Sequence, residues 1–361
     1  MKKILMISVA VAALASCSKD KDPLIIVPPS SGSQMTLNGL DGSEGGDGSK
    51  AANSVFVDFS ADKQYTVARK NWDLGFYTGS DFRAIINNTA VAYAKATTKT
   101  DLNAVGSADT VGLKLEFDQN VPTAADFTMM DNLNGNISQT LISASATETD
   151  NKVFILNRGT GGGIVRSQNQ YMKLRVLRNS NGYTLQYAPL TANTYNTLSI
   201  SKTGDGDFVY ISLDNGNTVS GFPAKIEWDI EWTYSAYKTN FGVDVMYPFS
   251  DLVALNQLNG VQAFERVYSG DAVASDAFTK FNKDSVAKYT FSSDRWTIGS
   301  NWRATAGTPA GIKHDRFYII KDASGNYYKL KFIAMGPVGY PTVVDDGGTR
   351  GKPEIQYELI K

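Results

Sequence analysis

An all-β protein of two tandem domains with few short helices, behind a signal peptide and a flexible tether, is what the 361-residue sequence predicts. Three observations carry this. Short segments of strict apolar/polar alternation lie between Gly, Asn, Asp and Ser clusters, as half-buried strands and their turns require. Long amphipathic helical patterns are scarce. Two distant anchors also recur at a single spacing, which marks a duplication. Apolar residues make up 42% of the chain and charged ones 20%, enough apolar material for packed cores.

Lys2 and Lys3 form a positive start, followed by an apolar run from Ile4 through Leu14. The run is too short to cross a bilayer as a helix and reads as a cleaved signal, residues 1–16. Leu14-Ala15-Ser16-Cys17 resembles a bacterial lipobox, making Cys17 the lipid-bearing N-terminus of the mature chain. Acyl chains contribute about 0.8 kcal/mol per buried CH₂, so several of them anchor a domain firmly. Ser18-Lys19-Asp20-Lys21-Asp22 resembles the surface-export signals that follow a lipidated Cys. Residues 17–53 then read as a tether, rich in Pro, Ser and Gly, with a reach of roughly 30–35 Å.

Beyond the tether, the strands match in pairs. Val55–Phe59 leads to Trp72-Asp73, and Val209–Leu213 leads to Trp228-Asp229. Asn87 and Asn240 follow the respective Trp-Asp pairs. Val153–Leu156 precedes Tyr171–Val176, as Phe317–Ile320 precedes Tyr327–Phe332, and Leu185–Tyr187 matches Ile355–Tyr357. Trp72 and Trp228 lie 156 positions apart, and so do Tyr171 and Tyr327. Two domains follow, 54–193 and 194–361, divided in the Thr/Asn run Thr191–Asn196. Pro248–Leu258 and Gly260–Arg266 are the helical candidates, the first equally readable as a loop with a short helix.

Composition excludes several functions. A formal net charge of −1 lacks the electrostatic footprint of a nucleic-acid binder. One Cys and one His exclude a disulfide framework and an ordinary Cys/His zinc site. Gly159-Thr160-Gly161-Gly162-Gly163 lacks the spacing of a phosphate loop and reads as a hairpin connection. No nucleophile elbow is present. Glu227 and Glu231, four residues apart on one strand, lie about 13 Å apart, too far for a glycosidase pair, and read as a solvated face. Asp73 and Asp229 read as structural acceptors for loop amides. No constellation of acid, base and nucleophile appears, so an enzyme is not expected.

The order of lipobox, tether, aliphatic–aromatic strand, Trp-Asp-apolar strand, Asn-bearing loop and closing strand pair resembles the HmuY family of Bacteroidota haem-binding lipoproteins. Asn71-Trp72-Asp73-Leu74-Gly75-Phe76, Glu227-Trp228-Asp229-Ile230 and the stretch from Arg316 to Leu330 carry the resemblance, in two copies over Ser54–Lys361. It implies an all-β lipoprotein on the outer membrane, exposed at the cell surface. It also implies capture of haem or a related tetrapyrrole and its relay to a TonB-dependent transporter. In that family, two His or two Met hold the haem iron from loops between the Trp-Asp strand and the last strand pair. Here the only His is His314, at the start of a strand, and Val261–Trp302 contains neither His nor Met. Met129 and Met130 lie where a ligand loop belongs in the first copy; adjacent strand residues point oppositely, so at most one reaches a given iron. Met246 is a third candidate and otherwise core. Trp296, Trp302 and Tyr340 are the aromatics expected to flank a flat porphyrin. The alternative is a surface module that kept the fold, lost the haem ligands and binds glycan or protein through exposed aromatics.

Overall fold

The structure, a computed structural model, describes residues 28–118, 120–161 and 171–361. The signal peptide, Cys17, Gly162 and Gly163 lie outside them. Antiparallel sheets dominate, and they pack as two sandwiches.

The first sandwich is built from residues 74–219. One sheet runs in the order Asn196–Ser201, Gly182–Pro189, Tyr171–Asn179, Phe154–Asn157, Tyr93–Ala96. The other runs Asn217–Val219, Phe208–Ser212, Leu74–Tyr77, Arg83–Ile86, Ile142–Ser143. Leu74, Phe76 and Ile211 from one sheet meet Leu174, Tyr183 and Leu185 from the other in a closed core.

The second sandwich takes residues 32–68 and 230–359. Its five-stranded sheet runs Gly32–Thr36, Glu354–Leu359, Tyr327–Ala334, Arg316–Lys321, Gln262–Val267. Its four-stranded sheet runs Asp244–Leu255, Ile230–Asn240, Asn53–Asp58, Lys63–Ala68. Val55, Val57 and Phe59 interleave there with Trp232, Leu330 and Tyr357.

The sequence repeats and the packed units therefore do not coincide. The first hairpin of copy one, Asn53–Asp58 with Lys63–Ala68, pairs with Ile230–Asn240 of copy two. The first hairpin of copy two, Phe208–Ser212 with Asn217–Val219, pairs with Leu74–Tyr77 of copy one. The edge strand preceding each hairpin goes with it. This is a reciprocal exchange within one chain, the intramolecular counterpart of domain swapping. The division expected at Thr191–Asn196 falls inside the first sandwich, because each opening hairpin buries its apolar face against the other copy.

Three further expectations are corrected. The stretch 28–53, read as tether, is part of the fold: Gly32–Thr36 pairs with Glu354–Leu359, and Leu37 and Ala51 are core. Pro248–Leu258 and Gly260–Arg266 are largely strand. Ladder pairing along the long Ile230–Asn240/Asp244–Leu255 hairpin outweighs the helical spacing of Leu252 and Leu255. The α-helices among the described residues are Asp271–Lys280 and Lys283–Val286. The first has Asp271 in its opening turn and Lys280 in its last, matching the helix dipole, and buries Ala274 and Phe278.

The exchange has a direct test. Ser54 and Thr233 sit opposite each other across it, with side-chain oxygens 2.7 Å apart. In a Cys17→Ser background, Ser54→Cys/Thr233→Cys is expected to oxidise to an intrachain disulfide that shifts gel mobility. Ser54→Cys/Tyr77→Cys, which an unexchanged repeat would bring together, is expected to stay reduced. The reverse pattern sinks the topology.

Candidate functional site

The chain crosses between the sandwiches twice, at residues 69–73 and 220–229, and both Trp-Asp pairs lie at the crossings. The aspartates act alike. Asp73 N donates to Ile211 O at 2.9 Å, and an Asp73 carboxylate oxygen accepts from Leu213 N at 2.7 Å. Asp229 N donates to Val57 O at 2.7 Å, and its carboxylate accepts from Phe59 N at 2.8 Å. Each aspartate thus clasps the end of the other copy's first strand. The tryptophans behave alike too: Trp72 lies edge-on to Tyr210 at 4.9 Å, and Trp228 edge-on to Phe56 at 5.1 Å. Phe222, on the second crossing, lies within ring contact of all four. Tyr210 fits only because Gly221 carries no side chain; a Cβ there would lie 2.1 Å from its ring.

Buried amides fix the crossings. Asn87 Nδ2 donates to Arg69 O and Trp72 O, both at 2.8 Å. Asn256 Nδ2 donates to Lys225 O at 2.7 Å and Trp228 O at 2.8 Å. The counterpart of Asn87 is therefore Asn256 and not Asn240, which sits at the exposed tip of the long hairpin. The lengthened hairpin of copy two displaces the match. Arg69, fully buried, donates to the carbonyls of Lys50, Ala51, Thr89 and Gly161, tying the exchanged hairpin to the other sandwich. Burial pulls its guanidinium down to about 10.

The two copies differ in charge. Asp73 receives a two-pronged pair from Arg158, with both distances 2.8 Å. Burial opposes the Arg158 charge, yet hydrogen bonds to Asp73 and Asp214 hold its pKa above the ordinary value. The position matching Arg158 carries Asp322 in copy two. Burial, reinforced by Asp58 and Asp322, raises Asp229 to about 8 against the Phe59 amide. Burial likewise raises Asp131 to about 7, although Leu141 N and Ile86 N both donate to it. Glu231 was expected on a solvated face but is fully enclosed, because both faces of its strand are covered. Burial raises its pKa, and Arg295 at 3.2 Å opposes the rise. Glu227 is exposed.

A cavity of about 80 Å³ lies beside the crossings, walled by Trp72, Trp228, Tyr210 and Phe222. It holds a few water-sized volumes and is far below the size of drug-like ligand pockets. An open groove of about 680 Å³ runs nearby, between Lys63–Ala68 and the Asn196–Ser201 and Asn217–Val219 edges.

The candidate ligands are placed as follows. Met129 and Met130 lie on the short 3-10 turn Ala124–Met129 and its cap, not on a strand, where Asp126 accepts from Thr123 N at 2.9 Å. Met130 and Met246 are enclosed, and Met129 is packed against them. All three join one apolar cluster between loops of the first sandwich and the long hairpin of the second. Trp296 is buried and donates to Leu133 O at 2.7 Å. Trp302 is buried, stacked 4.0 Å from Phe332, and donates to Asp251 O at 2.9 Å. Tyr340 alone of the three is exposed. His314 is exposed at the foot of Arg316–Lys321. Every methionine among the described residues is buried or half-buried; Met130 borders an open pocket of about 440 Å³, whose lining holds no His and no second Met. A haem held between two His or two Met does not fit these residues. Nor is any cluster of three His, Cys, Asp or Glu suited to a metal ion present among them.

A family model described as HmuY protein matches residues 50–195 and again 205–357. No curated protein matches the chain. No solved structure matches it. The two family matches follow the sequence repeats and so run across both sandwiches.

Arg158→Ala strands the buried Asp73 carboxylate and is expected to cost about 3–5 kcal/mol in denaturant unfolding. The raised pKa values of Asp229 and Asp131 mean that the native state holds protons the unfolded chain releases. Their contribution is complete below about pH 4 and is lost as pH rises through about 7–8. Stability is therefore expected to fall between pH 5 and 8, on the order of a few kcal/mol. Asp229→Asn keeps an acceptor for Phe59 N and is expected to flatten that slope. An unchanged slope in the variant contradicts the assignment.

Proposed function

The chain belongs to the HmuY family, a surface-associated, haem-binding and non-enzymatic family, and from that premise we propose that it is a lipid-anchored capture module displayed at the cell surface. It binds without transforming what it binds, and without a pair of iron ligands. The observation that carries this reading is that, among the described residues, no two candidate ligands face one opening: Met246 is fully enclosed, Met129 packs on the same cluster, and the open pocket of about 440 Å³ that Met130 borders is lined by no His and no second Met. The absence of any helix long and apolar enough to cross a membrane, among the described residues, is compatible with attachment through Cys17. In this reading the acyl anchor holds the module at the outer membrane, and its open grooves face outward.

Family membership favours a second reading, in which haem or a related tetrapyrrole is the cargo and a TonB-dependent transporter the recipient. The macrocycle would then rest on apolar and aromatic surface, with no more than one axial ligand from the protein.

Titrating purified protein with hemin separates the two. The capture reading expects no saturable six-coordinate Soret band, and identical spectra for the Met129→Ala and Met130→Ala variants. A sharp, saturable band lost in either variant restores iron ligation and overturns the first reading.

A further inference from the structure

The open groove of the first sandwich has a closed counterpart in the second. In the second sandwich the edge strands Gly32–Thr36 and Lys63–Ala68 are joined by the side chain of Gln64. Its Nε2 donates to Thr36 O at 2.8 Å, and its Oε1 accepts from Asn38 N at 3.0 Å. A primary carboxamide carries the same donor and acceptor as a peptide group. Two backbone groups along one strand edge, Thr36 O and Asn38 N, are thus satisfied by something equivalent to a peptide bond.

The exchange symmetry locates the same place in the first sandwich. Met35 lies opposite Ile355 and Leu198 opposite Leu185, so Thr36 and Asn38 correspond to Ser199 and Ser201. Lys202 N donates to Asn181 O. Hydrogen-bonded and open pairs alternate along an antiparallel ladder, so Ser201 N–H and Ser199 C=O turn away from the sheet. The position of Gln64 is taken by Thr218, which is exposed and too short to span the gap. Among the described residues no side chain bridges these edges. The gap is the groove of about 680 Å³; the edge strands Asn196–Ser201 and Asn217–Val219 border it, and residues 65–67 of Lys63–Ala68 line it from the other sandwich. Its lining carries two carboxylates, Asp205 and Glu227, and no Lys or Arg.

We propose that this groove is a docking site for an extended polypeptide segment of a partner protein, added as a β-strand and carrying basic side chains. Its main-chain amide takes the place that the Gln64 carboxamide occupies in the other sandwich. Edge backbone supplies affinity in such an arrangement, and flanking side chains supply selectivity. Asp205 and Glu227 set the charge preference. The proposal rests on the capture reading above and names the class of partner.

The probe is a blocked alternating Lys-Val hexapeptide, titrated into full-length protein by fluorescence anisotropy. Saturable binding is expected. N-methylation of alternate peptide nitrogens is expected to weaken it at least tenfold, with the protein unaltered. A Glu-Val peptide is expected to bind at least tenfold more weakly. Thr218→Gln, an exposed change that copies the plug of the other sandwich, is expected to abolish most binding while leaving the melting curve intact. Equal affinity for the N-methylated peptide, or full binding by the Thr218→Gln variant, overturns the proposal. So does a neutral glycan that occupies the groove in competition where no peptide binds. Loss of this site leaves the hemin result untouched, so the two readings fail separately.

Discussion

Two buried carboxylates, each closing on the backbone of the other repeat, are the contacts on which the rest of the molecule depends. Asp73 receives Leu213 N and Asp229 receives Phe59 N, so neither repeat can complete its own sheet at that point. The remaining features follow from satisfying these groups. A buried aspartate requires donors, and in each case the donor is the amide that ends an exchanged strand. The hairpins are thereby fixed in register, and the apolar faces of Val55, Val57 and Ile211 have only one place to go.

The exchange also explains why both tryptophans converge. Each Trp precedes its Asp at a crossing, and the crossings lie side by side: Asn71 Nδ2 donates to Ser220 O at 2.7 Å. Trp72 and Trp228 therefore share one aromatic cluster through Phe222 instead of anchoring two remote cores. Once doubled, the copies were free to diverge in charge. One aspartate keeps a guanidinium partner. The other faces Asp322 and Asp58 and is held toward its neutral form. The same freedom appears at the turns after the equivalent asparagines Asn87 and Asn256, where Val91 and Gly260 both take a left-handed conformation that only the glycine adopts without strain.

Functionally, the lack of a second Met or a His facing Met130 and the openness of the groove point the same way. Met129 and Met246 are spent on packing between the sandwiches, with Leu115, Leu133 and Ala236 as neighbours, and Met130 borders an open pocket that holds no second Met and no His. Trp296 and Trp302 are spent on the core and on hydrogen bonds to Leu133 and Asp251. What the groove offers besides its aromatic floor is backbone edge, hydroxyl and carboxylate.

Much was decided by local sequence. Alternation placed the strands around Phe56, Phe154, Leu174, Ile319, Leu330 and Tyr357, because a two-residue period is a property of the chain itself. The single 156-residue spacing between paired anchors exposed the duplication, and the scarcity of helical patterning gave the β class. Local pattern also misled: pairing overrode it at Leu252–Leu255, a covered second face at Glu231, and a 3-10 turn in place of a strand at Met129-Met130. The exchange was not legible, because either hairpin carries the same apolar face and would suit either sandwich; only the short crossings and the clasping aspartates choose between them. The true partner of Asn87 was hidden by the lengthened hairpin before Asn256. The groove, too, belongs to the tertiary structure alone. It is set by whether Gln64 or Thr218 stands between two strand edges that are distant along the chain, and only folding brings those edges to one gap.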